Sequence, residues 1–141
     1  MQRKERSQIE SKAKSIQAAK AALDKKSIDT VILELKDITV IADYFVICSG
    51  ANIPQVKAIA DHIEHELRER GIRPIGVEGR GNAQWILLDY GDVVVHIFEE
   101  ETRAYYELEK FWLDAPRISC NGEDKDSLGR KDKVAISSRG N

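Results

Sequence analysis

The chain has few of the residues that mark secreted or membrane proteins. It holds two cysteines and three prolines in 141 residues, and no apolar run approaches the roughly 18 residues of a membrane helix. Cys48 lies in an apolar stretch and Cys120 in a polar one, so we expect no disulfide framework. No charged and then apolar leader opens the sequence. These shortages favour a soluble protein of a reducing compartment with no membrane partner.

The compartment that we expect is the cytoplasm. Residues 1–26 are basic and amphipathic, which is compatible with an organellar transit peptide, but Glu5, Glu10 and Asp24 make that location less favoured because such peptides avoid acids. The length of 141 residues fits a single domain. We expect a flexible N-terminus over 1–6, one α/β domain over 7–116, and a disordered polar tail over 117–141.

The net charge of −2 conceals a strong asymmetry along the chain. Residues 1–26 hold eight Lys and Arg against three Asp and Glu, whereas residues 27–116 hold 8 basic and 17 acidic side chains, a net charge of −9. Nucleic-acid binding needs a basic footprint, so we expect no direct nucleic-acid recognition by the folded body. A basic protein partner fits its charge better.

The segment from Gln84 to Phe98 consists of two apolar runs joined at Gly91. Glycine can take the positive φ of a two-residue turn, which predicts a β-hairpin with Asp89 opposite Asp92 and Trp85 opposite His96. Alternation gives the hairpin an aliphatic face that belongs in a core: Ile86, Leu88, Val93, Val95 and Ile97. The second face carries polar-tipped rings and suits another packing layer or a partner surface: Trp85, Leu87, Val94, His96 and Phe98.

The remaining patterns predict a mixed α/β sheet of about five strands with packed helices, in the order αββαβββα. The helices are expected at Ser7–Asp24, after the cap Asn52, and from Thr102. The last helix is expected to bury one stripe, formed by Tyr105, Leu108 and Phe111 or Trp112. The segment 73–77 is expected at a sheet edge because Pro74 cannot donate to a ladder.

Residues that could carry chemistry are few and poorly grouped. Ser49-Gly50 follows a strand and precedes a helix, as in phosphate-binding turns, but no Asp-x-Asp pair for metal-assisted phosphoryl chemistry accompanies it. His62 and His65 lack a third ligand at suitable spacing, and Cys48 lacks a basic activator. We therefore predict no enzymatic activity, no catalytic residue, no bound metal and no cofactor.

Four motifs in order give the chain a recognisable signature. They are Asp43-Tyr44-Phe45-Val46-Ile47-Cys48-Ser49-Gly50, Ile59-Ala60-Asp61, the run from Trp85 to Phe98, and Tyr106-Glu107-Leu108-Glu109-Lys110-Phe111-Trp112. Over roughly residues 8 to 116 the chain resembles the ribosomal silencing factor family, also called iojap-related proteins. The loop at Ala51-Asn52 departs from the family pattern, which commonly has a serine and an arginine there.

The resemblance implies a nucleotidyltransferase-like fold without its catalytic set. It also implies a function: docking on the large ribosomal subunit at ribosomal protein L-fourteen, which blocks association with the small subunit and represses translation. We place the partner-binding residues on the hairpin, with Trp85 as the anchor and Leu88, Asp89 and Tyr90 at its rim or tip. For Trp85 and His96 a purely structural role is the alternative.

Three further hypotheses stay open. A nucleotide-binding or nucleotidyltransferase-type enzyme on the same fold would use Ser49-Gly50 at the phosphates. A generic protein adaptor would bind partners unrelated to the ribosome. A homodimer, formed off the ribosome, would pair the sheet edge near Ile75 and the exposed apolar side chains around Trp85.

Overall fold

A computed structural model describes the backbone of residues 2–120 and the side chains of residues 10–120. Its helices are α1 (Gln2–Asp24), α2 (Ile53–Glu69), α3 (Glu100–Tyr106) and a 3-10 helix (Leu108–Trp112). Its strands are β1 (Ile28–Glu34), β2 (Tyr44–Gly50), β3 (Gly76–Glu78), β4 (Trp85–Asp89), β5 (Val93–Glu99) and β6 (Arg117–Ile118). The mixed α/β class and the predicted element order are confirmed, with β6 as an additional strand.

The six strands form one sheet in the order β3-β4-β5-β2-β1-β6. The central strands β2 and β5 run parallel, and all the other neighbours are antiparallel. Both central strands are mostly apolar and are buried on both faces, as the unbroken run at Tyr44–Cys48 predicts for β2. The short strand β3 lies at one edge, as expected for the segment that follows Pro74.

The two long helices cover one face of the sheet. They pack against its aliphatic side chains, including all five that the hairpin alternation assigns to the core. On α2, the Asn52 side chain accepts from the Gln55 amide at 2.9 Å, which caps the helix as predicted. The other face of the sheet forms a separate layer around Phe45, Val94 and Phe98.

The N-terminal half of α1 is attached to the sheet by a polar network. The buried Ser11 hydroxyl lies 2.5 Å from an Asp92 carboxylate oxygen and 3.2 Å from one of Asp43. Lys14 adds an ion pair to Asp92 at 2.8 Å. This network connects the first helix to both loops at one end of the sheet, so it orients α1 over the core.

Two predictions about the elements require correction at the chain ends. The first helix begins at Gln2 rather than Ser7, because residues 2–6 are helix formers without a breaker. Arg117 and Ile118 pair with Leu33 and Ile32 rather than opening a disordered tail. Residues 121–141 of that predicted tail lie outside the described residues.

The hairpin register also differs from the prediction. Trp85 lies opposite Phe98 and Asp89 opposite Val94, a shift of two residues. The shift arises because the turn lies one residue further along the chain: the Tyr90 amide donates to the Val93 carbonyl at 2.9 Å, which centres the turn on Gly91-Asp92. The Asp89 side chain accepts from the Gly91 amide at 2.8 Å. Gly91 has the expected positive φ of 88°. A shift of two leaves every side chain on its predicted face.

The helix expected from Thr102 to Trp112 is interrupted. Glu107 adopts the left-handed conformation with φ 50°, which ends α3 and starts the 3-10 helix. The turn brings Glu109 back to Arg103. The Arg103 guanidinium donates to the Glu109 carboxylate at 2.6 Å and to the Ser49 hydroxyl at 2.9 Å. The predicted buried stripe is therefore wrong in part: Tyr105 and Phe111 are exposed, while Leu108 and Trp112 are partly buried.

Candidate docking face

The sheet surface opposite α1 and α2 is rich in aromatic rings, and we call it the aromatic face. Its rings are Phe45, Trp85, His96, Phe98, Tyr106 and Trp112. The 3-10 helix packs Trp112 against Phe45 over the centre of the sheet, with ring centroids 5.9 Å apart. The outer strands are less covered, because Leu87 of β4 and its neighbour Trp85 stay partly exposed. This uncovered corner is the part of the face that is open to a partner.

Trp85 is held in place from three sides. Its ring lies 4.6 Å from Phe98 and 5.1 Å from Tyr106, measured between centroids. Its indole Nε1 donates to His96 Nδ1 at 3.1 Å. A large ring that is fixed in one orientation and still partly exposed loses little entropy on binding, which is typical of interface anchors.

His96 is buried against Phe45, with ring centroids 4.5 Å apart. Burial lowers the pKa of His96 to about 4, so the ring is neutral at physiological pH. Because Nδ1 accepts from Trp85, the proton lies on Nε2, which finds no hydrogen-bond partner among the described residues. His96 therefore supports the anchor from beneath rather than facing a partner.

The other residues predicted at the rim occupy three different environments. Asp89 lies on the same side of β4 as Trp85 and is partly exposed. Leu88 points to the opposite side and is fully buried in the core under α2. The prediction that it lies at the rim is therefore corrected. Tyr90 is 7% exposed and its hydroxyl is buried, because the loop folds it into the same core. In this conformation neither Leu88 nor Tyr90 exposes enough surface to contact a partner.

Two residues near the anchor were missed in the sequence analysis. Tyr106 packs on Trp85. It was missed because the buried stripe predicted for the last helix includes Tyr105 and leaves Tyr106 on another side of the helix. Glu78 ends β3 directly opposite Leu87, on the aromatic face. The predicted edge segment 73–77 stops at Val77, one residue short of it, because the apolar pattern ends there. Glu78 and Asp89 give the uncovered corner an acidic border, consistent with the acidic central segment.

Two backbone amides between Ser49-Gly50 and the first turn of α2 already have side-chain partners. The Ala51 amide donates to the Gln55 side chain at 2.7 Å, and the Gln55 amide donates to Asn52. The Ser49 hydroxyl accepts from Arg103 and is buried. A side chain at Gly50 would meet the Val56 amide nitrogen at 3.0 Å, so this glycine serves strand–helix packing. Phosphate oxygens would have to displace these contacts.

The remaining candidates have structural environments. His62 bonds to Asp24 at 3.1 Å across α1 and α2. Cys48 is buried, and burial raises the pKa of its thiol to about 12, which disfavours a reactive thiolate. Within residues 2–120 we find no group of three or more His, Cys, Asp or Glu side chains that could hold a metal ion. No helix in that range is long and apolar enough to cross a membrane.

Comparison with known proteins gives a consistent set of relatives. Residues 8–140 match the sequence model of a family described as ribosomal silencing factor during starvation. The chain is 47% identical over 105 residues to the ribosomal silencing factor RsfS of Halalkalibacterium halodurans, covering 74% of this chain and 90% of that protein. It is 48% identical over 99 residues to that of Bacillus subtilis, covering 70% and 84%. A crystal structure of a Chromobacterium violaceum protein is 34% identical with a TM-score of 0.69, covering 71% of this chain and 83% of that one.

Proposed function

The chain belongs to the ribosomal silencing factor family, and from this premise we propose that it binds the large ribosomal subunit and prevents the small subunit from joining. The proposed receptor is a basic ribosomal protein, for which the family resemblance suggests L-fourteen. The mechanism is steric: occupancy of the joining surface represses translation without a chemical step. Its proposed site of action is the cytoplasm.

The observation that carries this proposal is the partly exposed Trp85, fixed by the His96 hydrogen bond on the uncovered corner of the aromatic face. A preorganised tryptophan is the kind of side chain that dominates binding free energy at interfaces. The acidic border of Asp89 and Glu78 favours a basic protein over ribosomal RNA, whose phosphates it would repel. Of the four partner-binding residues predicted from the sequence, Trp85 and Asp89 are therefore the two that we propose as contact residues.

Sedimentation of purified subunits tests the proposal. Stoichiometric protein is expected to shift associated ribosomes to free subunits and to comigrate with the large one. Glu69→Gln, on the exposed end of α2, serves as a matched control that retains activity. If the folded parent leaves subunit association unchanged, the proposal is wrong. Binding to isolated L-fourteen then tests the receptor separately.

The enzymatic alternative receives less support from the same residues. The amides of Ala51 and Gln55 are engaged within their own loop, and the Ser49 hydroxyl is engaged by Arg103. Calorimetry with magnesium and nucleoside triphosphates decides between the two functions, because an enzyme of this fold would bind them with micromolar affinity. A non-enzymatic silencing factor would give no such heat.

We also propose that the protein self-associates when it is off the ribosome. Strand β3 is an edge of three residues, so its outer hydrogen-bonding groups have no neighbouring strand in the sheet. Ile75, immediately before it, is 76% exposed. Two copies that paired there would shield both the edge and this side chain.

A further inference from the structure

A small cleft opens beside Trp85 at the uncovered corner of the aromatic face. Its volume is about 240 Å³, and it is lined by Glu78, Gly79, Trp85 and Leu87. The register explains its shape: Glu78 lies opposite Leu87, and Trp85 is two residues further along the same side of β4. Gly79 contributes no side chain, so the space next to the indole stays open.

Three different chemistries meet in this cleft. Leu87 contributes an apolar side chain to its lining, Trp85 an aromatic ring and Glu78 a carboxylate. An arginine side chain combines the matching features, because its methylene stem is apolar and its planar guanidinium both stacks on rings and forks to a carboxylate.

The charge of Glu78 is uncompensated within the described part of the chain. No ion pair joins it to another residue there, although Arg80 is only two residues away. Arg80 is instead held by α2, where it contacts Asp61 at 2.7 Å and also pairs with Glu64. The basic side chain nearest in sequence is thus directed to a different element, and Glu78 is left for an external cation.

We propose that the cleft of Glu78, Trp85 and Leu87 receives one arginine side chain of the basic ribosomal protein and so selects the partner. This rests on the proposed function and makes it more specific. Trp85 then acts on two sides: His96 fixes its indole Nε1, and its ring forms the wall on which the guanidinium stacks. Glu78 fixes the end of the guanidinium and sets the register of docking.

The test measures the dissociation constant for purified large subunits with Glu78→Gln, Glu78→Lys and Glu78→Asp. The equivalent variants of Glu69 serve as controls, since that exposed residue lies on α2, which covers the opposite side of the sheet. We expect about threefold weaker binding for Glu78→Gln, at least tenfold for Glu78→Lys, and partial retention for Glu78→Asp. The Glu69 variants are expected to stay within twofold of the parent. Thermal melting of each variant confirms that it is folded.

The sign of the Glu78→Lys effect separates a protein side chain from RNA. Tighter binding of Glu78→Lys would mean that the cleft faces phosphate, which overturns the proposal. Equal effects at positions 78 and 69, or none at either, would also overturn it, because they would reflect overall charge or no contact. A parent that does not bind the large subunit at all would instead reject the proposed function, and the arginine proposal with it.

Discussion

Trp85 and His96 are joined by a hydrogen bond that determines the state of both rings. The indole Nε1 donates to His96 Nδ1 at 3.1 Å, so the imidazole must keep Nδ1 unprotonated. The partly exposed anchor of the proposed interface therefore depends on a buried neutral histidine. Any condition that protonates His96 removes the acceptor of Trp85.

This dependence predicts how stability changes with pH. The pKa of folded His96 is lowered by burial to about 4 from an ordinary 6.5, so between these values the unfolded chain binds more protons than the folded one. Stability therefore falls as the pH decreases through this window. We expect the free energy of unfolding from urea titrations to be about 2 kcal/mol lower at pH 5 than at pH 7 from this residue alone.

Substitution of the histidine checks the assignment. His96→Asn can still accept from Trp85 through Oδ1 but does not titrate, so it should lose most of the pH dependence between pH 7 and pH 5. Gln84→Asn, at an exposed position without a titratable group, should keep the parental dependence. A His96→Asn variant that follows the parent curve would contradict this account.

Truncation of the anchor separates binding from folding. Trp85→Ala is expected to weaken binding to the large subunit by on the order of 2 kcal/mol or more, because it removes the central ring. It should also lower stability, by less than the roughly 3–5 kcal/mol typical of a buried tryptophan, since the ring is only partly buried. Trp85→Phe keeps the packing on Phe98 and loses the Nε1 donor. If Trp85→Ala melts earlier but binds normally once folded, Trp85 is structural only.

The two faces of the hairpin could be predicted from the sequence, whereas its register could not. Alternation assigns Ile86 and Leu88 to one layer and Trp85 to the other, and a shift of two residues leaves that assignment unchanged. The register depends on loop hydrogen bonds such as that from the Gly91 amide to Asp89, which no periodic pattern reveals. The burial of Leu88 follows from alternation, so its place among the rim residues conflicted with the pattern itself.

The interruption after α3 could not be predicted for a different reason. The left-handed Glu107 is stabilised by tertiary contacts of Arg103 with Glu109, Ser49 and the Ile28 carbonyl. Two of these partners lie more than fifty residues away in sequence, so local periodicity favours a continuous helix.

Gly79 is predicted to be essential for the position of β4. It has a φ of 88°, and a side chain there would place Cβ 2.0 Å from the Trp85 carbonyl oxygen. Gly79→Ala should therefore lower the free energy of unfolding by at least about 2 kcal/mol and displace the anchor. Gly81→Ala is the control, because nothing lies within 4 Å of its added Cβ, and it should be neutral or slightly stabilising. Equal urea midpoints for the two variants would refute the role of Gly79.

Self-association through the β3 edge is tested by charge at Ile75. Light scattering of the parent is expected to report a dimer fraction that rises with protein concentration. The Ile75→Lys variant should remain monomeric, because a charge there blocks edge pairing. Ile75 is exposed, so the substitution should change the free energy of unfolding by less than about 0.5 kcal/mol. A parent that stays monomeric at high concentration would remove this proposal.

Asp89 tests whether charge guides the protein to a basic partner. Asp89→Lys should slow association with the large subunit about tenfold and reduce its dependence on salt, because a border charge acts on the encounter rate.

The same substitution removes the acceptor of the Gly91 amide, which lies at 2.8 Å from Oδ1. Asp89→Asn is therefore the matched variant, since its side-chain oxygen keeps that turn contact while the charge is lost. Stopped-flow association at several salt concentrations should place Asp89→Asn between the parent and Asp89→Lys. An unchanged rate for both variants, with normal melting, would mean that this corner does not face the partner.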